Sequence, residues 1–109
     1  MDFENKTVII TGGASGLGFL SGKCFSKEGA NIVLVDISKD ALDEKVNEIK
    51  AAGGKAIGVV ADVRNYEQVC NVRDTAVKEF SSIDVMINCA GGAEMRMLDA
   101  YHYGEFKDV

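Results

Sequence analysis

Four short apolar runs, Lys6–Thr11, Asn31–Asp36, Lys55–Asp62 and Ile83–Asn88, alternate along the chain with segments of helical periodicity. This alternation constrains the fold more than any other feature. The runs are rich in Val and Ile, as suits strands buried on both faces. After the first, Leu17, Leu20, Cys24 and Phe25 fall at helical spacing, and Gly29 stands where a helix C-cap glycine belongs. Gly22 inside this helix costs about 1 kcal/mol relative to Ala, and reads as a point of close packing of helix on sheet. Ser38 is a good N-cap for a second helix with Leu42, Val46 and Ile49 on one face, stopping at Gly53 and Gly54. Asn65 and Gln68 read as a capping box for a third, striped by Val69, Val72, Ala76 and Phe80.

Strands alternating with helices across turn-length connections predict an α/β fold with a doubly wound parallel sheet. Right-handed crossovers place the first two helices on one face and return the chain past strand one on the other. Strand order 3-2-1-4 follows. Its switch point lies between strands one and four, at their carboxyl ends, where ligands bind in such sheets.

With 109 residues the chain is one domain, able to bury a core but small for a catalytic α/β enzyme. A net charge of −5 argues against nucleic acid or an anionic membrane surface as main partner. No apolar run approaches a membrane span of roughly 20 residues, and the N-terminus lacks a secretory pattern. Cys24, Cys70 and Cys89 are odd in number and widely spaced, which reads as reduced thiols in a cytoplasmic protein.

The run Thr11-Gly12-Gly13-Ala14-Ser15-Gly16-Leu17-Gly18 joins the first strand to the first helix. Glycines let the backbone approach phosphates, and a helix start offers unpaired N–H groups with a partial positive charge. The spacing T-G-x-x-x-G-x-G differs from the common G-x-G-x-x-G, and a glycine-rich turn alone is weak evidence. Its context adds weight: Asp36 ends the next strand and suits the two hydroxyls of an adenosine ribose. Ile37 follows, where a 2′-phosphate would call for Arg or Lys, so the pattern favours NAD over NADP. Asp62 with Val63 suits an adenine amino group and ring, although Asp62 followed by Asn65 is also ordinary turn chemistry. The glycine turn, Asp36, Asp62 and the Asn88–Gly91 segment all map to the switch-point edge.

These motifs, TGGASGLG, Asp36, ADV at 61–63 and NCAG at 88–91, resemble the short-chain dehydrogenase/reductase family over essentially the whole chain. The resemblance implies a Rossmann-type sheet in which Gly12, Ser15, Gly16, Leu17 and Gly18 line the pyrophosphate. Asp36 would select NAD, with Ile37 beside it, and Asp62 and Val63 would hold adenine. Asn88, Ala90 and Gly91 would run beside the nicotinamide ribose, with Asn88 also bracing the sheet. Cys89 departs from the Asn or Ala usual there, and reads as packing. The family transfers hydride between a nicotinamide and an alcohol or ketone, using a downstream Ser and a Y-x-x-x-K pair. Members of full length are expected to be homo-oligomers.

Tyr103 and Lys107 spell Y-x-x-x-K, but Tyr103 stands only a dozen residues after Gly91. That gap cannot hold the crossover needed to return a catalytic Tyr to the nicotinamide, so the match is read as chance and no catalytic residue is assigned. His102 has no second ligand at metal spacing, so no metal site is expected. Residues 1–92 read as the dinucleotide-binding half, and 93–109 as a loop and short helical turn leading toward a catalytic half. The sheet would then be truncated before strand five. Strand four would expose an unpaired edge, leaving the chain marginal and aggregation-prone by itself. The leading reading is an incomplete N-terminal portion of an NAD-dependent oxidoreductase, inactive alone. A non-catalytic NAD-binding module and a chain completed by a second polypeptide are the alternatives.

Overall fold

The computed structural model describes residues 2–89 and, as backbone, 96–99. The strands are β1 (Thr7–Thr11), β2 (Asn31–Asp36), β3 (Lys55–Val60), β4 (Val85–Asn88) and β5 (Arg96–Asp99). The helices between the first four are α1 (Gly16–Lys27), α2 (Lys39–Ala51) and α3 (Tyr66–Phe80). The sheet order is β3-β2-β1-β4-β5, parallel through its first four members, so the expected 3-2-1-4 arrangement is present.

Every residue of β1 is buried, as its β-branched composition requires of a central strand. Alternate residues feed opposite layers. Val8, Ile10, Ile32, Leu34 and Ile87 meet Leu42, Val46 and Ile49 of α2, with Phe19 and Phe25 of α1 packed against them. Ile9, Val33, Val35 and Met86 meet Val72 and Ala76 of α3 on the other face. The first two helices thus share one face and the third covers its reverse.

Three local expectations are corrected. The apolar stripe expected on α1 does not face the sheet: Leu17 and Leu20 are 49% and 54% exposed, and Cys24 is exposed. The buried residues of α1 are Gly18 and Gly22. A Cβ on Gly22 would lie 3.2 Å from Leu34 Cδ2 and 3.4 Å from Ile10 Cδ1. The helix approaches the sheet through its smallest residues, and that turns its leucines outward. Of the expected stripe, only Phe25 packs against the core.

The expected capping box is half formed. Asn65 Oδ1 accepts from the Gln68 N–H at 3.1 Å, but Gln68 Oε1 accepts from the Asp62 N–H at 2.7 Å instead of reaching the N-cap amide. The side chain thereby fastens the loop after β3 to the start of α3.

Nor is the outer edge of β4 unpaired. β5 lies along it antiparallel, with Val85 opposite Asp99 and Asn88 opposite Arg96. A four-residue strand with free ladder groups gains hydrogen bonds from an added antiparallel neighbour, so residues 96–99, within the stretch expected to be a loop and short helical turn, form a strand. Residues 90–95 and 100–109, which include Ala90, Gly91, His102, Tyr103 and Lys107, lie outside the described residues.

Candidate dinucleotide site

The first and innermost element of the site is the turn after β1. Gly12 has φ +66°, in the left-handed region that glycine adopts without strain. The Gly13 N–H donates to Val35 O at 2.9 Å, tying the turn to β2. Ser15 is the N-cap of α1, yet its hydroxyl donates back to Gly12 O at 3.1 Å and accepts nothing from the first helical turn. The helix start therefore has no side-chain cap, and its amide groups carry their partial positive charge toward the turn. No atom lies within 4 Å of a Cβ placed on Gly16, whereas a Cβ on Gly18 would strike the Gly12 carbonyl. Gly16 is the open wall of the turn, and Gly18 is its packed floor.

Asp36, at the end of β2, is the second element. Its Oδ2 accepts from the Ala14 N–H at 3.1 Å and its Oδ1 from the Ile37 N–H at 2.8 Å. One carboxylate thus bridges the glycine turn and the start of the β2–α2 connection, with lone pairs left over for a ligand. Ile37 beside it is 72% exposed.

The third element is the loop after β3. Asp62 accepts from the Arg64 N–H at 2.9 Å, and also holds the Arg64 guanidinium with Nε and Nη2 at 3.1 and 3.0 Å. The hydrogen bonds from the Arg64 guanidinium and backbone hold the Asp62 carboxyl below the usual aspartate value. On the inner side of the sheet, Thr11 Oγ1 donates to Asn88 Oδ1 at 2.7 Å, and the Cys89 N–H donates to Thr11 O at 3.0 Å. These bonds lock the end of β4 to the end of β1. Burial pushes the Cys89 thiol up, so it stays protonated.

A cleft of about 640 Å³ opens among these loops at the carboxyl edge. Gly12 and Ser15 border it from the turn, and Val35, Asp36 and Ile37 from the end of β2. Asp62, Val63 and Arg64 border it from the loop after β3, and Cys89 from β4. The structure thus brings six predicted residues to one cavity: Gly12, Ser15, Asp36, Ile37, Asp62 and Val63. Gly16, Leu17, Gly18 and Asn88 lie in the adjoining turn, helix start and strand end without bordering it. Arg64 was not singled out from the sequence, although a basic residue two positions after a turn Asp is a usable signal for a local ion pair. Among the described residues no cluster of His, Cys, Asp or Glu could hold a metal ion, and no helix is long and apolar enough to cross a membrane.

A wide cleft of mainly apolar surface, bordered by Ser15 at the N-cap of α1 and by the Asp36 carboxylate, suits an extended nucleotide. The profile of the short chain dehydrogenase family matches residues 6–109. The chain belongs to that family. Among short-chain dehydrogenase/reductase relatives, the peroxisomal 2,4-dienoyl-CoA reductase of Rattus norvegicus is 36% identical over 97% of this chain and 37% of its own length. The 3-oxoacyl-[acyl-carrier-protein] reductase FabG of Thermotoga maritima is 38% identical over 84% of this chain and 37% of its own. A short-chain dehydrogenase/reductase from Burkholderia phymatum, solved in complex with NAD, superimposes with TM-score 0.76 and 34% identity, covering 79% of this chain and 31% of that one. The hydroxysteroid dehydrogenase of Escherichia coli gives TM-score 0.80 at 32% identity, covering 83% and 38%. The chain therefore spans well under half the length of these relatives.

Proposed function

We propose that this chain is the cofactor-binding part of an NAD-dependent oxidoreductase that moves hydride between NAD(H) and an alcohol or ketone. The observation that carries this reading is the shared cleft, which Gly12 and Ser15, the N-cap of α1, border together with the Asp36 carboxylate. The pyrophosphate would lie on the amides from Gly16 to Gly18, held by partial charge at the end of a 12-residue helix. Asp36 would accept from the ribose hydroxyls while repelling a 2′-phosphate, and Ile37 offers such a phosphate no cation. Asp62 and Val63 would meet the purine, and Asn88 would brace the strand end beside the nicotinamide ribose. By family resemblance, Ala90 and Gly91 would run beside the same ribose.

The bound nicotinamide supplies the hydride donor or acceptor. Among the described residues, the titratable groups bordering the cleft are Asp36, Asp62, Arg64 and Cys89. Asp62 stays ionised and Cys89 stays protonated, so these two bind and orient and do not exchange a proton with the substrate near neutral pH. Calorimetric titration of the chain with NAD and with NADP tests the reading. NAD is expected to bind more tightly, with Asp36→Ala weakening NAD binding and removing the preference. Equal affinity of the unaltered chain for both nucleotides would overturn the role given to Asp36.

A further inference from the structure

Arg64 has no part in the reading above, yet its side chain borders the same cleft and occupies the carboxylate assigned to the purine. The contact is bidentate: Nε and Nη2 each reach a different oxygen of Asp62, at 3.1 and 3.0 Å. The Arg64 backbone N–H adds a third bond to the same group, at 2.9 Å. The loop itself is fixed from behind, since Gln68 Oε1 accepts from the Asp62 N–H and the Asn65 N–H donates to Asp62 O. The pair is therefore set by the backbone of a short turn and does not depend on two long side chains meeting by chance.

The consequence concerns hydrogen-bond polarity. A bare carboxylate only accepts, so it suits the 6-amino group of adenine and repels the 6-oxo group of hypoxanthine or guanine. A guanidinium only donates, and is the usual partner of a purine O6. With two of its donors on Asp62, Arg64 still has further N–H groups to offer at the cleft edge.

We propose, resting on the nucleotide reading of the cleft, that Arg64 sets its purine selectivity. Paired with Asp62, it converts an acceptor-only subsite into one that presents both acceptors and donors. The cleft then takes dinucleotides with a 6-amino or a 6-oxo purine.

The pair is open to solvent, with the Arg64 side chain 87% exposed, so it contributes little to stability and its removal leaves the fold intact. That makes Arg64→Gln a clean probe. The experiment measures dissociation constants for NAD and for nicotinamide hypoxanthine dinucleotide, by calorimetry, on the unaltered chain, Arg64→Gln and Arg64→Lys. The unaltered chain is expected to bind the two within about threefold, and Arg64→Gln to favour NAD by about tenfold or more, the scale of one well-formed base contact. Arg64→Lys, which keeps the charge but not the two parallel bonds, is expected to side with Arg64→Gln. The same ratio of the two constants in the unaltered chain and Arg64→Gln would overturn the proposal while leaving the nucleotide reading standing. Failure of the unaltered chain to bind either dinucleotide would overturn both.

Discussion

Two glycines of one turn, two residues apart, are expected to respond in opposite ways to the same added methyl group. At Gly18 a Cβ would strike the Gly12 carbonyl oxygen, and would lie 2.9 Å from Gly12 C and 3.2 Å from Gly13 Cα. These are backbone atoms of a turn already held to β2, so they cannot swing aside as a side chain could. Forced overpacking of this kind costs about 1–3 kcal/mol. That exceeds the gain of about 0.5–1 kcal/mol from replacing a helical glycine with alanine. At Gly16 nothing lies within 4 Å of the new Cβ, so only the gain applies. For a domain near 100 residues, each kcal/mol moves the melting temperature by about 4–8 °C. Gly18→Ala is therefore expected to melt several degrees lower than the unaltered chain, and Gly16→Ala a few degrees higher.

Binding separates the two further. The empty space at Gly16 is where the pyrophosphate would approach, so Gly16→Ala is expected to weaken NAD binding about tenfold while raising stability, a loss of roughly 1.4 kcal/mol. Thermal unfolding followed by circular dichroism, with NAD titration of the same samples, reads both quantities. A Gly16→Ala chain that binds NAD as tightly as its parent would refute the placement of the phosphates. An unchanged melting temperature for Gly18→Ala would refute the packing argument.

Three other outcomes follow from the site. Thr11 is buried and donates to Asn88 Oδ1 at 2.7 Å, so Thr11→Val is expected to cost about 1–2 kcal/mol. Urea unfolding should show this as a lower midpoint at constant slope, and an unchanged midpoint would count against the bracing bond. Asp62 has a folded-state pKa depressed below its ordinary 3.8, so the stabilisation from its pair with Arg64 is present above that value and fades as pH falls through the folded value. The small difference in melting temperature between the unaltered chain and Arg64→Gln should accordingly close at acid pH; a difference that widened there would contradict the sign. Cys24 is exposed, Cys70 half-buried, and Cys89 buried with its thiol pushed up by desolvation. Iodoacetamide with peptide mapping should modify Cys24 first and Cys89 last, with the ranking lost in denaturant.

Much of the architecture could be read from the sequence because the strands are short β-branched runs whose burial on two faces leaves few alternatives. The convergence of Gly12, Ser15, Asp36, Ile37, Asp62 and Val63 on one cleft was equally legible, since strand order alone sends the ends of β1, β2 and β3 to one edge. The face of α1 was not. Periodicity counts large apolar residues, and here the close approach to the sheet is made at Gly22, whose value lies in having no side chain. β5 was missed because Arg-Met-Leu-Asp has no strong strand character, and its pairing comes from the free edge of β4. The reach of Gln68 past the N-cap and the bond from Ala14 to Asp36 were also hidden, because both depend on distances across a turn that residue type does not encode.

The glycine turn is moored to β2 twice, by the Gly13 N–H on Val35 O and by the Ala14 N–H on the Asp36 carboxylate. Its order is thus established during folding, before any nucleotide arrives. A ligand that must organise its own binding loop carries that entropy loss in its affinity and slows its own arrival. Here the loss belongs to the folding equilibrium, so association with this cleft should be quick. Its heat-capacity change should report dehydration of the cleft surfaces and carry little signature of loop ordering.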